Sequence, residues 1–239
     1  MRTTGTLNRG GSNYGTGNDT SFFSACAYQR SSYSEARHGA LLVIDAGTRV
    51  LVGLTGASGV CYGIKALEIL SKMDGIETHL IITASARRTI SLEDQRAIGD
   101  IESLADFVYP IRDIAAGPAS GSFHTLGMIV APCSIRTLSA IANSYSADLL
   151  TRAADVTLKE RRPLVLMVRE APLHLGHLRL MERATEQGAI IFPPVPAFYS
   201  NPVDIEDIVA HSAARALEQL GLQVPDIVRW SGADNFEQR

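Results

Sequence analysis

Two charged residues follow the most apolar run of this sequence and are the first candidates for chemistry. Arg169 and Glu170 come directly after Leu164–Val168. If that run is a strand of a parallel sheet, its carboxyl end points both side chains into the crevice where such sheets bind ligands. Neighbouring charges can tune the pKa of a carboxyl group for proton transfer. Glu170 is therefore the candidate proton carrier, and Arg169 supplies a neighbouring cation.

A glycine-rich turn forms a second candidate. The apolar run Val50–Thr55 is followed by Gly56-Ala57-Ser58-Gly59 and then by a helical pattern. This order predicts a strand, a tight loop and a helix start, whose free N–H groups and dipole stabilise an anion or a nucleotide. The glycine spacing matches neither the dinucleotide fingerprint nor the phosphate-binding loop of NTPases. Ser58 adds a hydroxyl to the turn.

Hydroxyl side chains mark three further turns. Thr83 and Ser85 follow a predicted strand that ends without a carboxylate for ribose hydroxyls, which favours a mononucleotide phosphate over a dinucleotide. Simple capping of the next helix is the alternative. The other two turns contain Ser120 with Ser122, and Ser134 with the helix start Ile135, Arg136 and Thr137. Both resemble the first turn chemically.

Cations and a tyrosine complete the candidate site. Arg152 and Lys159 share a helical face with Asp155, which indicates a solvated, salt-bridged surface. Tyr199 ends a stiff Pro-rich loop, which would hold its ring at low entropic cost. Arg215 on the last predicted helix reaches the same crevice or faces solvent.

Other reactive side chains carry a weaker case. Cys133 has no His or acid near it in sequence, so a buried packing role is favoured over a nucleophile. His174 and His177 have no third ligand in register, and the three cysteines lack CxxC spacing. Neither a metal site nor a disulfide framework is therefore predicted.

Apolar runs alternate with stretches of helical period from Arg49 onward, which predicts an α/β fold with a parallel sheet between two helical layers. Strands are predicted at 50–55, 77–83, 127–131, 163–168 and 188–192. Helices are predicted at 60–73, 134–143, 147–160, 174–187 and 204–221. Residues 92–118 are expected to form a solvated helix and a connecting loop.

Composition bounds the rest of the chain. The 239 residues are 46% hydrophobic, which favours one large domain, and no apolar run is long enough to cross a membrane. A net charge of -3 gives no electrostatic reason for nucleic-acid binding. Residues 1–38 are predicted to be a disordered leader, with a transit segment or an early start codon as alternatives. Residues 39–232 form the predicted domain, 233–239 a tail, and Ala40–Ile44 a candidate added strand.

Taken in order, these segments resemble the UbiX/Pad family of flavin prenyltransferases over residues 49–232. The segments that carry the resemblance are Thr55-Gly56-Ala57-Ser58-Gly59, Ala119-Ser120-Gly121-Ser122, Pro132-Cys133-Ser134, Arg152-Ala153-Ala154-Asp155, Leu158–Leu164, Arg169-Glu170-Ala171-Pro172 and Pro194–Tyr199. Ile111–Ala116 and Leu173–His177 are more similar to the members that serve as the small subunit of hydroxyarylic acid decarboxylase systems than to ubiquinone-pathway members.

The resemblance implies a flavodoxin-like Rossmann fold and a metal-independent reaction. A dimethylallyl group from dimethylallyl phosphate would be joined to N5 and C6 of reduced FMN, and a UbiD-type decarboxylase would use the prenylated FMN. The family also implies a homo-oligomer, often a dodecamer, with sites near subunit boundaries. The expected location is cytoplasmic, or mitochondrial if the leader is a transit segment.

Residue roles follow from the resemblance. FMN would be contacted by Gly56, Ala57, Ser58, Thr83, Ser120, Ser122, Ser134, Ile135, Arg136, Thr137 and Arg169. Dimethylallyl phosphate would be held by Arg152, Lys159, Arg169, Tyr199 and Arg215. Glu170 would transfer the proton, with Ser58 and Lys159 as further catalytic residues.

One departure and two alternatives remain. Ile114 stands where ubiquinone-pathway members often carry Trp, which puts turnover rate and prenyl specificity in doubt more than reaction type. The alternatives are a non-catalytic FMN-binding subunit that serves a decarboxylase, and a flavin-dependent decarboxylase of the cysteine-decarboxylating type.

Overall fold

A computed structural model describes Met1 and residues 47–225, 227–230 and 232. The rest of the predicted leader, the candidate strand Ala40–Ile44 and the predicted tail lie outside the described residues. All elements described below belong to one compact unit. The domain boundaries at residues 38 and 232 stay predictions.

Strands and helices alternate along the chain. The strands are β1 (Thr48–Leu54), β2 (Ile76–Ile82), β3 (Phe107–Tyr109), β4 (Gly127–Cys133), β5 (Leu164–Val168) and β6 (Ile190–Ile191). The helices are α1 (Val60–Leu70), α2 (Ala84–Glu93), α3 (Ile98–Glu102), α4 (Ile135–Ala142), α5 (Leu149–Lys159), α6 (Leu175–Glu186) and α7 (Ile205–Glu218), with 3-10 turns at Gly117–Ala119 and Phe198–Ser200. None of the helices in the described ranges has the length and apolarity needed to cross a membrane.

The six strands form one parallel sheet in the order β3-β2-β1-β4-β5-β6. The chain builds outward from β1 to β3, returns to the middle as β4, and then builds outward on the other side. The direction of winding therefore reverses between β1 and β4. In doubly wound sheets, ligands bind beyond the carboxyl ends of the strands at such a reversal. The predicted parallel α/β sheet is confirmed.

Each face of the sheet has its own buried core because alternate strand residues point to opposite sides. Val50, Val52 and Leu54 of β1 pack with α1, α2, α3 and α7. Leu51 of β1 packs with residues of α4, α5 and α6 on the other face. The sheet thus separates the α7 layer from the α5 layer.

Two elements, α2 and β3, are absent from the predicted strands and helices. The β3 strand has only three residues, and Phe107 and Val108 are exposed, so no buried apolar run marks it. In α2 only Ala86 and Ile90 are buried, which is too sparse an apolar stripe to indicate a helix by periodicity. The helix expected within residues 92–118 is the short α3. The five predicted strands and five predicted helices all exist, with somewhat different ends.

A buried threonine ties together the two strand ends at the reversal. Thr55 directly follows β1 and is 1% exposed. Its Oγ1 donates to the carbonyl of Pro132 in β4 at 2.6 Å and accepts from the N–H of Ser134 at 2.8 Å. This hydroxyl therefore fixes the turn after β1 against the start of α4.

Thr55→Val should lower the free energy of unfolding by about 3 kcal/mol, because it leaves a buried carbonyl and a half-buried N–H without partners. Urea denaturation measures the change. The matched control is Thr157→Val, which removes an equally buried hydroxyl bonded to the Ala153 carbonyl of its own helix at 2.8 Å. That carbonyl keeps its helical N–H donor, so the control should cost less than about 1 kcal/mol. Equal losses in the two variants would contradict the bridging role.

Candidate active site

The structure places the predicted site residues in three groups. The carboxyl-edge group consists of Gly56, Ala57, Ser58, Thr83, Ser134, Ile135, Arg136, Thr137, Arg169 and Glu170, which follow β1, β2, β4 and β5. The α5 group consists of Ser120, Ser122, Arg152 and Lys159. The α7 group consists of Tyr199 and Arg215.

Two helices at the carboxyl edge begin at hydroxyl caps. Thr83 Oγ1 accepts from the N–H of Ala86 at 3.1 Å and starts α2. Ser134 Oγ accepts from the N–H of Thr137 at 3.3 Å and starts α4. Thr83 therefore caps α2, and its contact with FMN stays a prediction. Both caps leave the remaining N–H groups of their first turns directed beyond the sheet edge, where an anion is stabilised.

The Gly56 turn packs tightly against the start of α2. A Cβ atom added to Gly56 would lie 2.4 Å from Cβ of Ser85, so no larger residue fits there without a shift. The turn after β1 and the turn after β2 consequently form one continuous surface. Ser58 is exposed on it.

A carboxylate occupies the start of α1, where the sequence predicted a phosphate cradle. Glu93, from the last turn of α2, accepts from the N–H of Gly59 at 2.8 Å and from the N–H of Val60 at 3.3 Å. These N–H groups are the ones that the helix dipole makes available to an anion. The carboxylate neutralises them within the chain, and Glu93 is a functional candidate that the sequence pattern had placed on a solvated face.

Arg169 and Glu170 follow β5 at the same edge, and both are exposed. The N–H of Arg169 donates to the carbonyl of Cys133 at 3.1 Å, which joins this loop to the end of β4. The pKa of Tyr62 on α1 is raised, chiefly by burial and also by electrostatic repulsion from Cys61. The positive charge of Arg169 lowers the same pKa. Arg169 therefore lies within electrostatic reach of α1. Glu170 Oε1 accepts from the N–H of Ala171 at 3.1 Å.

The serine loop of the α5 group lies against the end of α5. Ser120 Oγ and Ser122 Oγ are 2.9 Å apart. A Cβ atom on Gly121 between them would lie 2.1 Å from Oε1 of Glu160 and 2.7 Å from Nζ of Lys159. Lys159 itself forms an ion pair with Glu160. A larger residue at position 121 would therefore displace the ends of these two side chains.

Two arginines fasten this loop to α5 and its end. Arg152 donates to the carbonyl of Ala119 at 3.2 Å and to Oδ2 of Asp155 at 2.9 Å. Arg162 donates to the carbonyls of Gly121 and Phe123, each at 2.8 Å. No role was predicted for Arg162. The sequence signals for it are its place in the Leu158–Leu164 segment and its position shortly before a buried strand.

The α5 group and the carboxyl-edge group lie at different ends of the sheet. Ser120–Ser122 precede β4, and Lys159 precedes β5, whereas Arg169 follows β5. β5 has 5 residues, so at about 3.3 Å each it separates Lys159 from Arg169 by about 17 Å. The sequence interpretation placed both hydroxyl turns in one crevice, and the single chain does not bring them together.

The α7 group lies on the other face of the sheet. Tyr199 Oη is 3.5 Å from Nε2 of His211, and its ring packs edge-on against Trp230 at 5.9 Å between centroids. Arg215 forms an ion pair with Glu218 one turn further along α7. These contacts place both residues on the helical layer opposite α5. The single chain therefore presents three separate parts of the predicted site.

Comparisons with known proteins agree with this architecture. The Flavoprotein family model matches residues 42–216. The flavin prenyltransferase UbiX of Escherichia coli strain K12 is 54% identical over 187 residues, which cover 77% of this chain and 99% of the relative. The chain belongs to the UbiX family of flavin prenyltransferases.

Solved structures of UbiX proteins share the fold. AnUbiX (PadA1), crystallised with FMN and dimethylallyl pyrophosphate, has a TM-score of 0.76 and 46% identity, with 78% of this chain and 99% of that one covered. A dodecameric FMN-dependent UbiX-like decarboxylase from Escherichia coli O157:H7 has a TM-score of 0.75 and 46% identity, covering 77% and 100%. The flavodoxin-like fold expected from the sequence is therefore confirmed for this UbiX-family chain.

Two further expectations are met by the geometry. Cys133 is fully buried, and burial raises its pKa to about 12, so the thiol packs and does not act as a nucleophile. His174 caps α6, with Nδ1 accepting from the N–H of Gly176 at 3.0 Å. His174 therefore has a structural role at the start of α6.

In the native UbiX-family chain, Cys133 should stay unmodified by iodoacetamide at about pH 8, since only the thiolate reacts and a free thiol has a pKa of about 8.5. Peptide mass spectrometry measures labelling site by site. The exposed Cys61, whose pKa is raised chiefly by desolvation, serves as the internal comparison and should label slowly. After denaturation in urea both peptides should be alkylated. Native labelling of Cys133 ahead of Cys61 would contradict the packing role.

Proposed function

We propose that this chain transfers the dimethylallyl group of dimethylallyl phosphate to N5 and C6 of reduced FMN, with the residue roles given below. The observation that carries the proposal is the carboxyl-edge group. In this group Ser58 follows β1 at the reversal of the sheet, and Arg169 and Glu170 follow the neighbouring strand β5, at the same edge as two hydroxyl-capped helix starts. Family membership at 54% identity supports the same reaction.

The residues at the carboxyl edge fit a flavin mononucleotide. The α2 and α4 starts supply N–H donors and hydroxyls to an anion, and the Gly56 turn lies flush against α2. The flavin, when bound, supplies the electron-rich N5 and C6 positions that accept the prenyl group. In this proposal it is held by Gly56, Ala57, Ser58, Thr83, Ser134, Ile135, Arg136, Thr137 and Arg169, together with Ser120 and Ser122.

Departure of the phosphate is the step that needs the cations. Negative charge develops on the phosphate oxygens as the bond to the allylic carbon breaks, and preorganised cations stabilise it. In this proposal that stabilisation and the hydrogen bonds come from Arg152, Lys159, Arg169, Tyr199 and Arg215. Glu170 is the proton-transfer residue and works together with the leaving phosphate, which Ser58 and Lys159 contact. All of these roles are assigned by the residues' chemistry and by the family pattern.

We further propose that the complete site forms between copies of the chain. The sheet holds the carboxyl-edge, α5 and α7 groups apart within one protomer, while a heterologous interface can bring different surfaces of neighbouring copies together. The related Escherichia coli O157:H7 protein is dodecameric, which supports a homo-oligomer here. Ile114, 67% exposed, would then form an aliphatic wall of the site instead of an aromatic one.

The alternative of a non-catalytic FMN-binding subunit is less well supported. Flavin binding alone does not need the second set of phosphate-directed cations on α5 and α7. The hypothesis of a cysteine-decarboxylating enzyme is likewise disfavoured by the 54% identity to a flavin prenyltransferase.

The recipient of the product and the location of the protein are also proposals. We propose a UbiD-type decarboxylase as the recipient of the prenylated FMN. We propose the cytoplasm as location because the relatives compared above include bacterial proteins, and nothing supports the mitochondrial alternative.

Anaerobic incubation of the purified chain with reduced FMN and dimethylallyl phosphate should yield a flavin heavier by one five-carbon prenyl unit, as read by mass spectrometry. Omission of dimethylallyl phosphate is the control and should leave the flavin mass unchanged. A complete reaction that also leaves the mass unchanged would exclude prenyl transfer and favour the non-catalytic alternative.

Mixed assemblies test whether one site uses two copies. Glu170→Gln and Lys159→Met should each abolish prenyl transfer when assembled alone. Co-expressed, they should regain roughly a quarter of the wild-type rate, because random pairing joins an intact carboxyl edge to an intact α5 group in that share of composite sites. The rate of prenylated FMN formation by the mixed assemblies measures the recovery.

The matched control is Glu170→Gln mixed with Arg169→Gln. Both changes fall in the carboxyl-edge group, and each site takes that group from a single copy. Every site in the mixture therefore lacks either Glu170 or Arg169, and the mixture should stay inactive. Recovery in the control, or no recovery with Lys159→Met, would contradict a site shared between copies.

A further inference from the structure

A segment near the end of the described chain packs on α7, where it contacts Tyr199 directly and Arg215 through Glu218. The segment consists of Val224, Pro225 and residues 227–230, here called the C-terminal strap. Its contacts with α7 are made by side chains and by backbone carbonyls. The proposed function uses Tyr199 and Arg215 but leaves these contacts unexplained.

On one side, the strap reaches Arg215 through a shared carboxylate. Glu218 forms ion pairs with Arg215 through Oε2 and with Arg229 through Oε1. Arg229 also donates from Nε to Glu218 at 3.1 Å and from Nη2 to the carbonyl of Val224 at 3.1 Å. The Glu218 side chain is 12% exposed, so water competes little for it. Arg229 thus holds Glu218, and Glu218 holds Arg215.

On the other side, the strap reaches Tyr199. Trp230 packs edge-on against the Tyr199 ring at 5.9 Å between centroids. His211 Nε2 lies 3.1 Å from the carbonyl oxygen of Val228 and 3.5 Å from Tyr199 Oη. The rings of His211 and Tyr199 are nearly perpendicular, with 5.7 Å between their centroids. Perpendicular aromatic pairs and hydrogen bonds restrict ring rotation. The Tyr199 ring is therefore held between the strap and α7.

The charges of the cluster also suit a phosphate ligand. Arg215 and Arg229 together carry two positive charges, and Glu218 carries one negative charge shared between them. One net positive charge remains for an incoming phosphate. A lone Arg215 would instead keep its full rotamer freedom and would have to lose it on binding.

We propose that the C-terminal strap is the positioning element for substrate phosphate, with Arg229 and Trp230 as positioning residues for Arg215 and Tyr199. The inference rests on the proposed function, since it is through Arg215 and Tyr199 that the strap acts on dimethylallyl phosphate. Neither Arg229 nor Trp230 touches the reacting atoms. Their effect is on the geometry and preorganisation of the two residues that do bind phosphate.

Steady-state kinetics of the full chain test the strap. Arg229→Gln should raise KM for dimethylallyl phosphate about tenfold, a loss of preorganisation that corresponds to one decade in affinity. The affinity for FMN should stay near its wild-type value, because the carboxyl-edge group is untouched. The kcat should also fall, since Arg215 stabilises the charge on the departing phosphate in the proposed function. Arg229→Lys restores a cation to Glu218 and should recover part of the KM.

The matched control is Glu206→Gln, which removes the ion pair between Lys65 of α1 and the first turn of α7. It loosens the same helix away from Arg215, so its KM should stay at the wild-type value. Glu218→Gln keeps the side-chain shape and releases both arginines, and it should raise KM as Arg229→Gln does. Gel filtration of every variant verifies the assembly.

The outcomes separate this inference from the proposed function. Failure of the wild-type chain to prenylate FMN would overturn the function itself. An active wild type together with an unchanged KM in Arg229→Gln and Glu218→Gln would overturn the strap while leaving the function standing. An equal rise of KM in Glu206→Gln would also overturn it, because the effect would then come from general loosening of α7.

Discussion

The hydroxyl of Thr55 is the interaction on which the candidate site depends most directly. It joins β1 to β4 where the winding of the sheet reverses, donating to Pro132 at 2.6 Å and accepting from Ser134 at 2.8 Å. The turn after β1 and the cap of α4 are therefore set by one buried group. Since a buried hydrogen bond is costly to leave unmade, the position of the two turns is coupled to the stability of the core. A loop without this hydrogen bond would be more mobile, and a ligand bound there would have to order it at a cost in binding free energy.

The second constraint is the sheet itself, which keeps reactive groups apart. Lys159 lies before β5, Glu170 after it, and Arg215 on the opposite helical layer. Local ion pairs hold two of these side chains: Lys159 pairs with Glu160 beside the serine loop, and Arg215 pairs with Glu218. Under the proposed function, the phosphate-directed residues of one protomer are held apart in this way, and their assembly into one site depends on contacts between copies.

The sequence was most informative where burial and period coincide. The strands β1, β4 and β5 have continuous apolar runs, and β2 ends in Leu80, Ile81 and Ile82. The turns after β1 and β4 carry Ser58 and Ser134, so both the parallel sheet and its ligand edge could be predicted. Contacts between residues distant in sequence could not. Glu93 reaches α1 from the end of α2, and Arg162 reaches back about forty positions to Gly121. The separation of Lys159 from Glu170 is different, because in a parallel sheet it follows from their order: Lys159 precedes β5 and Glu170 follows it. The sequence interpretation grouped the motifs by chemistry and missed this order.

The Glu93 contact has a consequence for which anions can bind near Ser58. Because Glu93 is tethered to the fold, it acts as a built-in competitor whose effective concentration at the α1 start is on the order of millimolar or more. Inorganic phosphate or any other small free anion must exceed that concentration to take the N–H groups of Gly59 and Val60. A ligand that gains binding energy elsewhere, through a ring or a prenyl chain, is not limited in this way. Glu93 therefore favours large ligands over small anions at the start of α1, although both carry negative charge.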